Sequence, residues 1–341
     1  DIHEIQNIIS EHVKGENRRK IFVSDPKDVD YLDNIRMLSQ SGSYQYLKIA
    51  EGCSNHCTYC IIPYLRGPFR SRSIESIITE AERLASTGTK ELILIAQDVT
   101  RYGEDKYGEY RLVELIRRLS EIDGIKWIRL LYCYPERITD ELINEFRNNP
   151  KLLKYLDIPI QHASDSILKL MGRKTSRKSL AGLVEKLRTE VPGIILRTTL
   201  ITGFPGETED DFEQMKNFIQ EYPFDRLGVF AYSREEGTPA AKMKNQVKES
   251  VKQKRREEIL LLQKDIIIPL IEKRVGKTYE VMVEGVADDG IFYVGRSYGE
   301  APEIDPVIYF TSAEPLNTGS FVNVKILTRD DMDLVGEVIY D

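Results

Sequence analysis

The chain has 341 residues, enough for a full-sized core and two domains, and its 41% hydrophobic and 30% charged content is that of an ordinary globular protein. No apolar run approaches the roughly 20 residues of a helical membrane span, and four cysteines in a chain this long do not make a disulfide framework. The formal net charge of −7 argues against bulk attraction to nucleic acid, and it is unevenly placed: from Glu272 onward stand 6 Lys and Arg against 14 Asp and Glu.

In chain order, "DIHEIQNIISEH" has the pattern of an amphipathic helix and lacks the basic, apolar and cleavage regions of a signal peptide. It starts without an initiator Met, and a polar stretch, "GENRRKIFVSDPKDVDYLDN", follows. Residues 1–43 are therefore expected to be the linker or tail of a further upstream domain. The crowded cysteines fit a reducing, cytoplasmic setting better than a secreted one. From Tyr44, short apolar runs alternate with helical patterns. Strand candidates are "YQYLKIA", "ELILIAQ", "WIRLLYCY", "YLDIPI", "IILRTTLI" and "RLGVFAY", with helices expected to begin near Ser73, Tyr110, Thr139, Arg177 and Glu207. Thr139 and Thr208 are N-cap candidates with acidic residues close behind.

Six strands separated by helices predict a parallel α/β sheet, a partly open (β/α)6 barrel over residues 44–271. In such barrels the chemistry sits on loops after the C-terminal ends of the strands. "KESVKQKRREEILLLQKDIIIPLIEKRVG" is one long helix that Pro269 is expected to kink or interrupt. Residues 272–341 then alternate in five short runs, from "KTYEVMVEG" to "DLVGEVIY", which predict a small antiparallel β-barrel domain.

The spacing of Cys53, Cys57 and Cys60 puts three thiolates on one loop after the first strand. A structural zinc site needs four protein ligands. His56 is one residue from Cys57, where its ring reaches the same metal poorly. Cys133, in a distant apolar strand, is most simply a small buried hydrophobe. Three thiolates instead suit a 4Fe-4S cluster with one iron open to an exogenous ligand; the rival is structural zinc in a non-catalytic binding module. Gln97 and Asp98, and likewise Gln161 and His162, leave strands toward the same mouth as cofactor or substrate contacts or as turn caps. Ser164 is an N-cap candidate. Arg197 lies on the same strand face as Thr199 and suits a ligand carboxylate or a plain salt bridge. Arg66, Arg70 and Arg72, with Phe69 between, would bind RNA or pair with carboxylates of their own domain.

"CSNHCTYC", with an aromatic residue before its last cysteine, resembles the signature of radical S-adenosylmethionine (SAM) enzymes. The resemblance implies that Cys53, Cys57 and Cys60 hold the cluster and that the open iron binds the amino and carboxylate groups of SAM. Reductive cleavage of SAM would then yield a radical that abstracts hydrogen from an unreactive C–H bond. It also implies that Tyr59 and Ile61 lie at the adenine and that "TGFPGE", with Thr199 and Gly203, borders the adenosine. Gln97, Gln161 and Arg197 join the SAM contacts on the same footing.

With "RGPFRSRS", "FAYSREEGTPAA" and "GRSYGEAPEID" in order, the chain from Tyr44 to Asp341 resembles the methylthiotransferases. The most similar branch adds a methylthio group to the β-carbon of an aspartate in protein twelve of the small ribosomal subunit. The alternative branch modifies an adenosine of tRNA. The acidic balance of the C-terminal domain, which would be the family's TRAM domain, independently favours a basic protein over tRNA. The resemblance further implies a second SAM as methyl donor and an electron donor such as flavodoxin or ferredoxin. It also implies a second 4Fe-4S cluster on three cysteines of an N-terminal domain. Outside the triad only Cys133 remains, so those ligands are expected upstream and this chain is expected to cleave SAM without methylthiolating.

Overall fold

The computed structural model of the chain describes residues 5–14 and 42–340; residues 1–4 and 15–41 of the expected linker or tail lie outside them. Ile5–Val13 form the opening helix, which buries none of its residues. Six strands, β1 (Tyr44–Lys48), β2 (Glu91–Ile95), β3 (Trp127–Leu130), β4 (Leu152–Asp157), β5 (Ile195–Thr202) and β6 (Arg226–Ala231), pair in chain order into one parallel sheet. Its edge strands are β1 and β6, so the barrel stays open between them.

The two-residue period of the strands decides which side chains meet the helices. Leu92, Leu94, Ile128, Leu130, Leu156 and Leu196 pack under the helical layer in the main core. Their alternates Ile93, Trp127, Leu153, Tyr155 and Ile195 form a separate cluster on the concave side. The helices start where polar caps allow. Thr139 accepts from the Leu142 N–H at 3.2 Å, and Thr208 forms a reciprocal capping box with Asp211. Ser164 does occupy an N-cap, but its hydroxyl donates to Asp211 rather than capping its own helix. Glu249–Glu272 is continuous although Pro269 lies inside it. So near the C-terminal end, the missing N–H removes a single bond and the helix survives.

Five strands follow: β7 (Thr278–Val286), β8 (Tyr293–Arg296), β9 (Ile308–Thr311), β10 (Phe321–Asp330) and β11 (Asp333–Val338). They close a small barrel in the order β8-β9-β11-β10-β7, antiparallel except for the parallel pair β9 and β11. This second module packs against the amino-terminal end of the large barrel. Met282, Ala301, Tyr298 and Phe321 complete the concave cluster around Trp127 and Tyr155. Glu91, fully buried at the start of β2, pairs with Arg129 at 2.6 Å and with Arg296 of the second module at 2.8 Å. Charges desolvated this deeply are tolerated only when paired, so the two modules share one interior.

Candidate active site

The cysteine loop is fixed at its base by the short ladder of Ala50–Glu51 with Arg70–Ser71. Gly52 begins it with φ of 78°, and a Cβ there would stand 2.1 Å from the Pro68 carbonyl oxygen. Only glycine fits this combination of left-handed backbone and close approach. The Cys53 N–H donates to the Gly67 carbonyl at 3.1 Å, and the Thr58 N–H to the Met171 carbonyl at 3.0 Å. Asp98, with no exposed surface, anchors the loop from the end of β2. It accepts from Asn55 Nδ2 at 2.8 Å, from the Thr100 hydroxyl and from Arg137 Nη1 at 2.8 Å, while Arg137 Nη2 donates to Asn55 Oδ1 at 3.0 Å. Burial nevertheless pushes the Asp98 carboxyl above its usual range, against the pull of Asn55, Thr100 and Arg137.

A cavity of about 680 Å³ opens at this mouth, lined by Cys53, Cys60, Gln97, Tyr132 and Tyr134 among others. Cys57 is buried just behind this lining, with its Sγ 3.4 Å from the hydroxyl of Tyr134. None is in a disulfide. Burial pushes the Cys53 thiol up to about 11 and raises that of Cys60, so thiolates here need a cation beside them.

The residues present fit a cluster that binds a further ligand. Gln97 donates from Nε2 to Glu51 at 3.3 Å, while its Oε1, buried in the cavity wall, has no partner. That acceptor suits an amino group. Of the two possible fourth zinc ligands, His56, within the loop, is exposed at φ of 52°, and Cys133 is packed in the helix-side core. Among the described residues, no three His, Cys, Asp or Glu side chains form a single-ion site.

The other residues singled out in the sequence fall into three groups. Tyr59 is not part of the cavity lining and packs edge-to-face on Phe204 at 6.4 Å, joining the cysteine loop to the turn that begins at Gly203. Gly203 itself has φ of 71° and lies where a Cβ would stand 2.2 Å from Lys252 Cγ; its N–H donates to Glu207 at 2.8 Å. Ile61 caps the short helix Ile62–Arg66 and approaches Gly237. Gln161, at φ of 70°, exchanges backbone bonds with Thr199 and Ile201, which brings Gln161 and Thr199 side by side.

Arg197 is already engaged, 3.2 Å from Asp157 and 3.9 Å from Asp305 of the second module. His162 is wholly buried, 3.4 Å from Glu207, and accepts from the Ser164 N–H at Nδ1. Arg72 pairs with Glu80 at 2.6 Å, Arg70 donates to backbone carbonyls, Arg66 is 3.9 Å from Glu51, and Phe69 is buried. These arginines serve their own domain, as the second of the two readings had it. The sequence placed the turn "YCYP" at the mouth without assigning roles to Tyr132 or Tyr134, and it pointed to no site role for Arg137 or Ile304. For Arg137 the available signal was its place two residues after that turn, in "YCYPER".

Three thiols at the open mouth of a parallel α/β barrel define the radical SAM class of enzyme. The model for the Radical SAM superfamily matches residues 47–219, and that for the TRAM domain matches residues 275–339. A ribosomal protein uS12 methylthiotransferase RimO from Acetivibrio thermocellus is 58% identical over 98% of this chain and 75% of its own length. One of the same name from Clostridium botulinum (strain Eklund 17B) is 51% identical over 99% of this chain and 75% of its own. The chain belongs to the RimO family of radical SAM methylthiotransferases. Among solved structures, coproporphyrinogen III oxidase (HemN) from Escherichia coli superposes with a TM-score of 0.50 at 16% identity, over 76% of this chain and 67% of that one. That likeness concerns the fold alone.

Proposed function

We propose that the chain is the radical SAM and TRAM part of an enzyme that attaches a methylthio group to the β-carbon of an aspartate of ribosomal protein uS12, and that with no cysteines for a second cluster beyond the triad and Cys133 it cleaves SAM without completing that transfer. The observation that carries this reading is the cysteine loop itself, three buried or half-buried thiols at a cavity whose far side the TRAM module completes. A 4Fe-4S cluster held by Cys53, Cys57 and Cys60 supplies, when bound, the electron that cleaves SAM and so the radical that takes the hydrogen.

The chain's own residues do the rest. Asn55, Asp98 and Arg137 hold the loop in one geometry. Gln97 offers its free Oε1 to the amino group of SAM. The second module fills the lower barrel with Met282, Ala301 and Phe321 and so excludes water from below. A basic protein such as uS12 suits the excess of acidic groups beyond Glu272. A cytoplasmic setting and an electron donor such as flavodoxin or ferredoxin belong to the same reading, as does a second 4Fe-4S cluster for the sulfur. Among the described residues no helix is long and apolar enough to cross a membrane.

The test is capture by the anaerobically reconstituted protein of uS12 or of tRNA at moderate salt. Brown protein with SAM-dependent spectral change that retains uS12 and not tRNA is expected. Colourless zinc protein, or retention of tRNA alone, would overturn the reading.

A further inference from the structure

The reaction cavity has one wall that does not belong to the large barrel. Ile304 of the second module lines it together with Cys53, Cys60 and Tyr132. Tyr132 and Ile304 keep 52% and 49% of their surfaces exposed, high values for large apolar side chains inside a concave site. Tyr132 stands on strained backbone with φ of 62°, and so does Glu303, the neighbour of Ile304, with φ of 68°. Such residues persist only where their surroundings hold them, and they concentrate at sites of function.

The holding groups form one chain of contacts. Asp157 accepts from the Tyr132 N–H at 3.0 Å and from Arg197 Nη1 at 3.2 Å. Arg197 Nε lies 3.9 Å from Asp305, which also accepts from the Tyr155 hydroxyl at 2.7 Å and from the Ala301 N–H at 2.9 Å. Glu303 is held by the Tyr44 hydroxyl at 2.9 Å. Arg197 thus ties the segment carrying Tyr132 to the segment carrying Ile304, across two modules, and Arg226, 3.8 Å from Asp305, holds the second of them as well.

We propose that Tyr132 and Ile304 form an apolar clamp for the polypeptide substrate, with Arg197 as its positioning residue and Glu303 as an acidic rim that pairs with a cation of that polypeptide. The clamp rests on the uS12 reading and names the part of the site that would select it. Polypeptide is favoured over RNA because the exposed carboxylate beside Ile304 repels phosphate. The cation on the cavity wall, Lys48, is already paired with Glu51 at 2.7 Å.

The test is equilibrium binding to the reconstituted full chain of a labelled uS12 peptide spanning the target aspartate, with an RNA anticodon stem-loop as the second probe. Ile304→Asp should raise the peptide Kd about tenfold or more, and Ile304→Val should leave it nearly unchanged. Glu303→Lys should weaken the peptide about tenfold, and replacing one Lys or Arg of the peptide by Glu should restore binding, which misfolding cannot mimic. Arg197→Gln should raise the Kd for peptide more than that for SAM. Unchanged peptide binding in Ile304→Asp and Glu303→Lys, or a loss confined to SAM in Arg197→Gln, overturns the clamp while leaving uS12 as substrate. A wild-type chain that binds only the RNA refutes the substrate reading and the clamp with it.

Discussion

Replacing Asp98 by Ala should release the cysteine loop from the barrel. The carboxylate is wholly buried, and it satisfies Asn55 and the Arg137 guanidinium at 2.8 Å each, along with the Thr100 hydroxyl. Its removal leaves Arg137, itself only 9% exposed, as a buried charge without its counterion. Breaking a buried pair from one side costs about 3–5 kcal/mol. Because burial already raises the Asp98 pKa, the pair gains less than an ideal one, and the lower end, about 3 kcal/mol, is expected. For a chain of this length that corresponds to a fall in melting temperature of roughly 4 °C. Asn55, left with Arg137 alone, itself no longer held by Asp98, orders the segment between Cys53 and Cys57 less well. Iron and acid-labile sulfide per chain after anaerobic reconstitution should therefore fall well below wild type, with Asp98→Asn in between. An Asp98→Ala protein with full iron content and an unshifted melting curve would refute this role for the clamp.

Other expectations follow from the same geometry. Glu300, buried between Arg274 and Arg226, is held down to about 2 from an unperturbed 4.5: burial opposes ionisation, and the two arginines and Ser297 outweigh it. Its folded value lies below the unfolded one, so it adds stability above about pH 4.5 that is lost as pH falls through about 2, roughly 3 kcal/mol in all. The stability gap between wild type and Glu300→Gln in denaturant titrations should narrow across that window, and a gap independent of pH would contradict it. Gly52→Ala drives a Cβ to 2.1 Å from the Pro68 oxygen and should abolish cluster loading, read as iron per chain; normal loading would show that the loop relaxes freely. Gln97→Ala removes the free Oε1 and should weaken SAM about tenfold by equilibrium dialysis, whereas unchanged affinity would mean this acceptor faces no ligand. Cys133→Ala should keep the full cluster and lose about 1 kcal/mol of stability from the small cavity created; loss of iron would make Cys133 a ligand.

How much of this could be read in advance depended on how local each signal was. The short apolar runs of β1 to β6 and the spacing of Cys53, Cys57 and Cys60 are carried by neighbouring residues, and the sheet and the loop follow from them. The alternation after Gly276 likewise foretold five strands, though not that β9 and β11 run parallel, because register across a barrel is set by packing. The loop clamp was hidden, since Asn55 meets Asp98 and Arg137 across 43 and 82 residues of chain. Arg197 stood on the strand face toward the site, but only the fold shows Asp157 and Asp305 on either side of it. Ile304 was least legible: "APEID" has no periodicity, and its place in the cavity depends on the docking of one module into the other.

The most direct test of the chemistry is the mass of the 5′-deoxyadenosine released when the reconstituted protein is reduced with SAM and uS12 deuterated at the β-carbon of its target aspartate. Deuterium should appear in the nucleoside, and Cys53→Ala, Cys57→Ala or Cys60→Ala should each abolish its release. Deuterium arriving instead from labelled tRNA adenosine, or no 5′-deoxyadenosine from a protein with a full cluster, would contradict a radical enzyme acting on this ribosomal protein.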